Sequence, residues 1–417
     1  MKLESLGVKN FRGLHELEIS FHHEVTVVVG RNGAGKTTIL DAVAIMLQPL
    51  RTLWPNEQGK HNYREPAVSK KDVQIGFKDC FFRLGYTREG ENAGITEAIE
   101  FRSSDSVRTP ANETIGALLQ RTNESNYVAP EKTLFLYYHQ DRGFRSISKS
   151  QDLFNADQLQ ENSLQADLKA INDLESWWDK LDAQEAREVR DGNPSFRDPQ
   201  LEAVRKLIQT IDSFSGLSFS STASPAGLHL TKYDGSSVHV DQLSTGERSY
   251  IILLADLARR LQVIAPRTPL DEIQGIVLID EIELNLHPAW QSVIIPTLRN
   301  TFKSCQFVVT THSPQVISSV HSEHVRILNR MENGDLQVDS PLSTKGRTSN
   351  YILEGIFGAA ERFPPIDRLI DKFNDAVDHD DAIAARALFQ NISSNVEGQP
   401  PELLVLKKRL KMLGRTP

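Results

Sequence analysis

Residues 25–40 read VTVVVGRNGAGKTTIL: an apolar run, then Gly30-x-x-x-x-Gly35-Lys36-Thr37, then apolar positions at helical spacing. A buried strand, a glycine-rich turn and a helix in that order are what a phosphate-binding P-loop requires. The glycines let backbone N–H groups curl around an anion, and the helix start adds the positive end of its dipole. Lys36 is long enough to reach the β and γ phosphates, and the Thr37 hydroxyl is placed to ligate Mg²⁺. The candidate nucleotide contacts are therefore Asn32, Gly33, Gly35, Lys36, Thr37 and Thr38. An ordinary glycine turn before a helix would need no Lys-Thr pair, so the stretch predicts binding of a nucleoside triphosphate.

The rest of the 417-residue chain exceeds what one core usually holds, which predicts a large main domain with inserted or appended pieces. At 39% apolar residues, a sizeable core is available. The formal net charge of -8 argues against coating nucleic acid by overall charge and leaves room for a local basic groove. Cys80 and Cys305 are far apart, and Cys305 sits in an apolar run, so no disulfide or metal framework is expected. The N-terminus MKLESLGVKN has no apolar leader, and no run is long enough to cross a bilayer. The expected setting is a reducing cytoplasm without membrane attachment.

Outward from the P-loop, residues 2–21 alternate as two strands joined at Arg12-Gly13. Downstream, Ile39, Leu40, Val43 and Leu47 mark a helix that Pro49 is expected to end. Residues 72–87 and 95–102 alternate like antiparallel strands, and LFLYY at 134–138 reads as a buried one. From 151 to 214 the composition turns to Leu, Ala, Gln, Asp and Glu with near-helical apolar spacing, a helical insertion too short for a long coiled-coil arm. Trp177 and Trp178 in it are expected to place one ring in a core and one partly in solvent; base stacking is the other reading. Residues 228–240 read as a hairpin turning at Asp234-Gly235.

Two further stretches carry chemistry. Leu243-Ser244-Thr245-Gly246-Glu247 precedes a strongly apolar helix and by itself also describes a plain N-cap. It is followed by GIVLIDE at 275–281, a buried strand ending in two acids. Beside a P-loop, Asp280 is the candidate Mg²⁺ ligand and Glu281 the candidate base for an attacking water. Then FVVTTHSP at 307–314 delivers His312 to a strand end, where open α/β sheets place their ligands. His312 either caps the next helix or donates to a γ-phosphate.

In this order, GxxxxGKT, LSxGE, the apolar strand with Asp-Glu and the strand-end histidine resemble the ABC-type ATPase heads of the RecF, SMC and OLD group. The likeness covers about residues 1–48 and 241–330 well. LIDEIELNLHP at 278–288 and TTHSP at 310–314 are similar to compact bacterial anti-phage ATPases of the Septu and retron-associated kind, which work with an HNH nuclease. The resemblance implies an α/β fold: an ABC-type P-loop head with a β-rich lobe (1–150), a short helical insertion (151–215), the second half of the head (216–342) and a helical tail (343–417). It implies ATP and Mg²⁺ as cofactors, hydrolysis by Glu281 with His312, and a homodimer that sandwiches ATP. Ser244, Thr245, Gly246 and Glu247 would then act on nucleotide held by the partner's P-loop. It further implies a glutamine that senses Mg²⁺, with Gln140 the candidate, and a phosphate contact at Arg142. Arg12 in NFRGL matches the family's N-terminal motif near the nucleotide, a plain surface arginine being the alternative. His287 stands where arm-bearing members often have Asp, which puts a subunit-crossing role there in doubt.

At the C-terminal end, residues 343–350 read as a linker with Ser349 or Asn350 capping a helical tail that runs to Leu413. Asp378-His379-Asp380-Asp381 reads as a solvated turn rather than a metal site. The tail is too short and too helical for a TOPRIM nuclease, so a nuclease effector would be a separate chain. Lys407-Lys408-Arg409-Leu410-Lys411 is basic enough to touch a phosphate backbone, although a solvated helix face is the simpler reading. DNA or an RNA–DNA hybrid is a further candidate partner, without assigned residues. Alternative functions are a RecF-like recombination ATPase acting directly on DNA and a slow-turnover, ATP-locked scaffold.

Overall fold

The computed structural model describes residues 1–54, 68–88, 95–104, 132–139, 170–331, 335–358, 364–398 and 400–413. Strands β1 (Lys2–Phe11) and β2 (Leu14–Ser20) pair antiparallel around a turn at Arg12-Gly13. β3 (Val25–Gly30) leads into α1 (Lys36–Leu50). β4 (Asp79–Arg88) and β5 (Ile95–Ser104) complete a four-stranded antiparallel sheet in the order β2-β1-β4-β5. A register shift between Leu3 and Ser5 keeps Leu3, Leu6 and Val8 all buried despite imperfect alternation.

The second sheet adds β6 (Leu134–Tyr138), β10 (Gly275–Ile279), β11 (Cys305–Thr311), β12 (Val325–Arg330) and β13 (Leu336–Asp339) to β3, in the order β13-β12-β3-β11-β10-β6. Only β12 and β13 pair antiparallel. Every residue of β3, β6, β10 and β11 is buried, which is why these strands are continuous apolar runs rather than alternating ones. Helix α1 fills the space between the sheets. Its Ile39, Leu40, Val43 and Leu47 share one core with Leu6, Phe11 and Phe82 on one side and Ile276 and Val308 on the other. Pro49 does not end this helix as expected; it lies inside the last turn, and a 3-10 turn (Arg51–Leu53) follows. A proline there removes only one backbone bond, and burial of Leu50 and Leu53 holds the extra turn in place.

Helices α2 (Ala170–Arg190) and α3 (Pro199–Gln209) precede a three-stranded antiparallel sheet of β7 (Phe214–Ser220), β8 (Gly227–Lys232) and β9 (Ser237–His239), with the β8–β9 turn at Asp234-Gly235. Helix α4 (Thr245–Ile264) packs against α2, α3 and β6. The expectation for the tryptophan pair is corrected: both Trp177 and Trp178 are fully buried, edge to face at 6.2 Å. Helix α2 is covered by α4 on one face and by α3 and β7 on others, so neither ring is left to stack a base. Short helices α5 (Pro288–Gln291), α6 (Ile294–Thr301) and α7 (Pro314–Ser318) follow β10 and β11.

Contacts divide the chain into two units, Met1–Arg347 and Thr348–Pro417. The second contains α8 (Ser349–Phe357), α9 (Pro364–Asp378), α10 (Ala382–Asn395) and α11 (Pro401–Leu413). The cap of α8 is Thr348, whose hydroxyl accepts from the Tyr351 N–H, rather than Ser349 or Asn350. A small core of Phe373, Ala385, Ile392, Leu403 and Leu406 joins α9, α10 and α11. Asp381 caps α10 within an exposed turn, and Arg409 of the basic run is held by Asn374 and Asp378.

Candidate functional site

Because β3, β11 and β10 are adjacent and parallel, the segments that follow them emerge together at one edge of the sheet. Register sets Val29 beside Thr311 and Ile279 beside Val309, so the P-loop, His312 and the two acids converge within a few strand spacings of about 4.8 Å.

The P-loop is shaped by Gly33 (φ +76°) and Gly35 (φ +94°), both in the left-handed region that a side chain disfavours. Among the described residues no side chain caps the start of α1, and its first turn contains no acid, so its leading N–H groups are oriented for an anion. Lys36 is 7% exposed and bonds the carbonyls of Gly30 (3.1 Å) and Arg31 (3.3 Å), lying along the inside of the loop. Burial lowers the ammonium pKa, and Asp280, Glu281 and Glu283 oppose that shift. A cradle of this kind fits the phosphates of a nucleotide: uncapped donors, a buried cation, and glycine at the two left-handed positions. Asn32 is exposed on the loop, Thr37 is exposed in the first turn of α1, and Thr38 is half-buried.

Thr37 Oγ1 donates to Asp280 Oδ2 at 2.8 Å, so a hydroxyl and a carboxylate meet across the gap between β3 and β10. This all-oxygen pair fits a hard divalent cation such as Mg²⁺. Asp280 itself is 1% exposed, and its other oxygen accepts from Thr310 Oγ1 at 2.5 Å. The same hydroxyl oxygen accepts the Glu281 N–H at 2.7 Å. Thr310 thus fixes both acids at once. Thr310 stands in the strand preceding His312, and its role follows from the β10–β11 register, which spacing in the sequence does not give. Glu281 has φ +46°, a left-handed conformation unfavourable for a glutamate, and such strain gathers at functional sites. The His312 N–H donates to Glu283 Oε1 at 2.5 Å, making Glu283 a second residue that motif reading missed. Burial and then the Lys36 charge lower the His312 pKa, which favours the neutral ring with one donor and one acceptor nitrogen.

Ser244 is the N-cap of α4: its hydroxyl donates to Glu247 Oε2 at 2.7 Å and accepts the Glu247 N–H at 3.3 Å. Both readings of LSTGE therefore apply to the same residues, because Ser244 and Thr245 also remain exposed. A Cβ on Gly246 would lie 3.1 Å from the Asn285 carbonyl oxygen and 3.1 Å from the His287 nitrogen, so glycine is needed for the signature turn to rest on the loop after Glu281. His287 is exposed and caps α5. A buried network links α4 to the acids: Tyr138 OH donates to Asp256 (2.9 Å), which also accepts from Arg259 and Arg260, and the Tyr138 carbonyl accepts the Asp280 N–H (2.9 Å).

Arg12 lies on the β1–β2 turn with φ +50° and is paired with Asp41 of α1 and Asp72, while Tyr137 OH donates to Asp41 at 2.9 Å. Its guanidinium is held by two carboxylates, Asp41 one helical turn beyond Thr37 on α1 and Asp72 of the 3-10 turn Lys70–Asp72. Gln140 and Arg142 lie outside the described residues. No helix among the described residues is long and apolar enough to cross a membrane.

Residues 25–318 match the family described as "AAA domain, putative AbiEii toxin, Type IV TA system". The chain is 30% identical over 431 residues to the "Retron Ec83 probable ATPase" of Escherichia coli, covering 88% of this chain and 78% of that protein. It is 21% identical over 435 residues to the Septu protein PtuA of Bacillus thuringiensis, covering 99% of this chain and 98% of that one. Among solved structures, the SMC head domain from Thermotoga maritima aligns with 17% identity over 82% of this chain and 99% of that chain, at a TM-score of 0.43.

Proposed function

We propose, for a chain that belongs to the AAA-domain family matched at residues 25–318 and is an ATPase, that ATP closes a homodimer whose state controls a partner nuclease in anti-phage defence. The relatives named as a retron ATPase and a Septu protein support the setting. The observation that carries the dimer is the placement of Ser244 and Thr245: exposed at the start of α4 and resting, through Gly246, on the loop that follows the acids.

In this reading Lys36, Gly33, Gly35, Asn32, Thr37 and Thr38 hold the triphosphate, and Thr37 with Asp280 holds Mg²⁺, which would neutralise phosphate charge. Glu281, on a strained backbone fixed by Thr310, accepts the proton of the attacking water. Neutral His312 donates to the γ-phosphate. The exposed signature residues supply donors to nucleotide bound by the second copy, so that two like-charged ligands are neutralised from both sides of the interface. Hydrolysis removes the group that both copies share, and the dimer is released. Gln140 remains the proposed Mg²⁺-sensing residue, and residues 343–417 are the proposed helical tail.

The test is recovery of partners from native cells with Glu281→Gln and with Lys36→Ala. A nuclease co-purifying with the first in an ATP-dependent way supports the reading. DNA co-purifying with no protein partner refutes it and favours a recombination ATPase.

A further inference from the structure

At the opposite edge of the six-stranded sheet from the P-loop, about 20 Å away along the six-residue β3, two segments begin side by side. His22 and Glu24 directly precede β3. His324 directly precedes β12, which runs parallel to β3. One possible ligand atom from each of His22, Glu24 and His324 lies within 4.8 Å of the other two. The two imidazoles meet edge to face with centroids 4.1 Å apart.

The surroundings suit a metal. His324 is 2% exposed, and its Nδ1 lies 3.1 Å from the Val25 carbonyl oxygen. A carbonyl can only accept, so the ring proton is on Nδ1 and Nε2 keeps its lone pair, as in a histidine ligand oriented by a backbone oxygen. One oxygen of Glu24 is paired with Arg299, which orients the carboxylate and leaves Oε1. His22 Nδ1 accepts the Glu24 N–H at 3.2 Å, the longest of these bonds and the one that a metal on that nitrogen would replace. Two more donors are near. His23 Nε2 is 4.0 Å from Glu24 Oε1, with its ring stacked on His22 at 4.2 Å, and Glu323 Oε1 is 3.8 Å from His324 Nε2. Tetrahedral ligands at zinc distances are separated by about 3.3 Å, so closure from 4.8 Å asks for side-chain shifts of roughly 1 Å. The Arg299 charge opposes a dication here, and the carboxylates of Glu24 and Glu323 offset it.

We propose that His22, Glu24 and His324 bind a zinc-class divalent metal that staples the start of β3 to the start of β12. Two imidazole nitrogens with a carboxylate select a borderline transition metal over Mg²⁺ or Ca²⁺, so the site is chemically distinct from the nucleotide's own cation. Its consequence is mechanical: the strand that ends in the P-loop is anchored at its far end.

The experiment uses the full-length, untagged, nucleotide-free chain. Zn²⁺ is titrated in competition with a chromophoric chelator, and Co²⁺ is added as a spectroscopic probe. Expected are one equivalent per chain and the intense visible bands of four-coordinate Co²⁺. Because His324 is buried, His22→Gln and Glu24→Gln carry the test. Each should weaken zinc at least about tenfold, with ATP binding retained, whereas Lys36→Ala should leave zinc affinity unchanged. Equal zinc affinity in wild type and both variants, or loss of zinc in Lys36→Ala, overturns the proposal.

Discussion

Thr310→Val removes one hydroxyl and keeps the shape of the side chain. That hydroxyl donates to Asp280 Oδ1 at 2.5 Å and accepts the Glu281 N–H at 2.7 Å, in a strand buried throughout. The first bond is charge-assisted, worth about 1.5–3 kcal/mol. Losing the second leaves an N–H without its acceptor, at a cost of about 1–3 kcal/mol. Some of this is relieved when the strained Glu281 backbone relaxes, which leaves roughly 2–4 kcal/mol acting on the geometry of the two acids. If all of it is felt in the hydrolytic transition state, turnover falls about 30- to 1000-fold, at 1.36 kcal/mol per tenfold. The Thr310 hydroxyl is spent on Asp280 and the Glu281 N–H, so affinity for a fluorescent ATP analogue measured without Mg²⁺ should change little. Phosphate release under single-turnover conditions, beside an analogue titration and a melting curve, separates these effects. Thr310→Ser, which keeps the hydroxyl, should recover most of the rate. Hydrolysis by Thr310→Val within twofold of wild type, in a protein that melts normally, would refute the claim that Thr310 positions both acids.

Two other substitutions probe the elements around the acids. Gly246→Ala places a Cβ 3.1 Å from both the Asn285 carbonyl oxygen and the His287 nitrogen, so it should lower turnover tenfold or more while leaving nucleotide affinity intact, read by the same two assays. Asp256→Asn removes the charge that neutralises Arg259 and Arg260. Burial opposes ionisation of Asp256, but the two arginines outweigh it and hold its pKa below the usual carboxylate range. Leaving these arginines uncompensated should cost about 3–5 kcal/mol, visible as a lower midpoint in urea unfolding.

The sequence was most legible where one residue type has one physical job. The P-loop glycines, Lys36 and Thr37 are dictated by anion geometry, and the apolar runs of β3, β10 and β11 by burial on both faces. Partners set by the pairing of distant segments were not legible. Thr310 meets Asp280 and Glu281 only because β10 and β11 are in register, and Glu283 meets His312 for the same reason. The tryptophan pair was misjudged because adjacent helical residues point in different directions, and only the tertiary packing of α2 reveals that both directions are covered. Pro49 was read by a local rule that holds in a helix interior and weakens in the last turn. Ser349 and Asn350 were the expected caps, whereas the cap is the neighbouring Thr348, a side chain of similar capping ability that composition does not rank against them.

The most direct test of the ATP-closed dimer is the mass of Glu281→Gln by light scattering, without nucleotide and with Mg-ATP. Mg-ATP should double the mass, and adding Ser244→Arg should abolish the increase although ATP still binds. A Glu281→Gln chain that binds ATP and keeps its nucleotide-free mass would contradict the ATP-closed dimer.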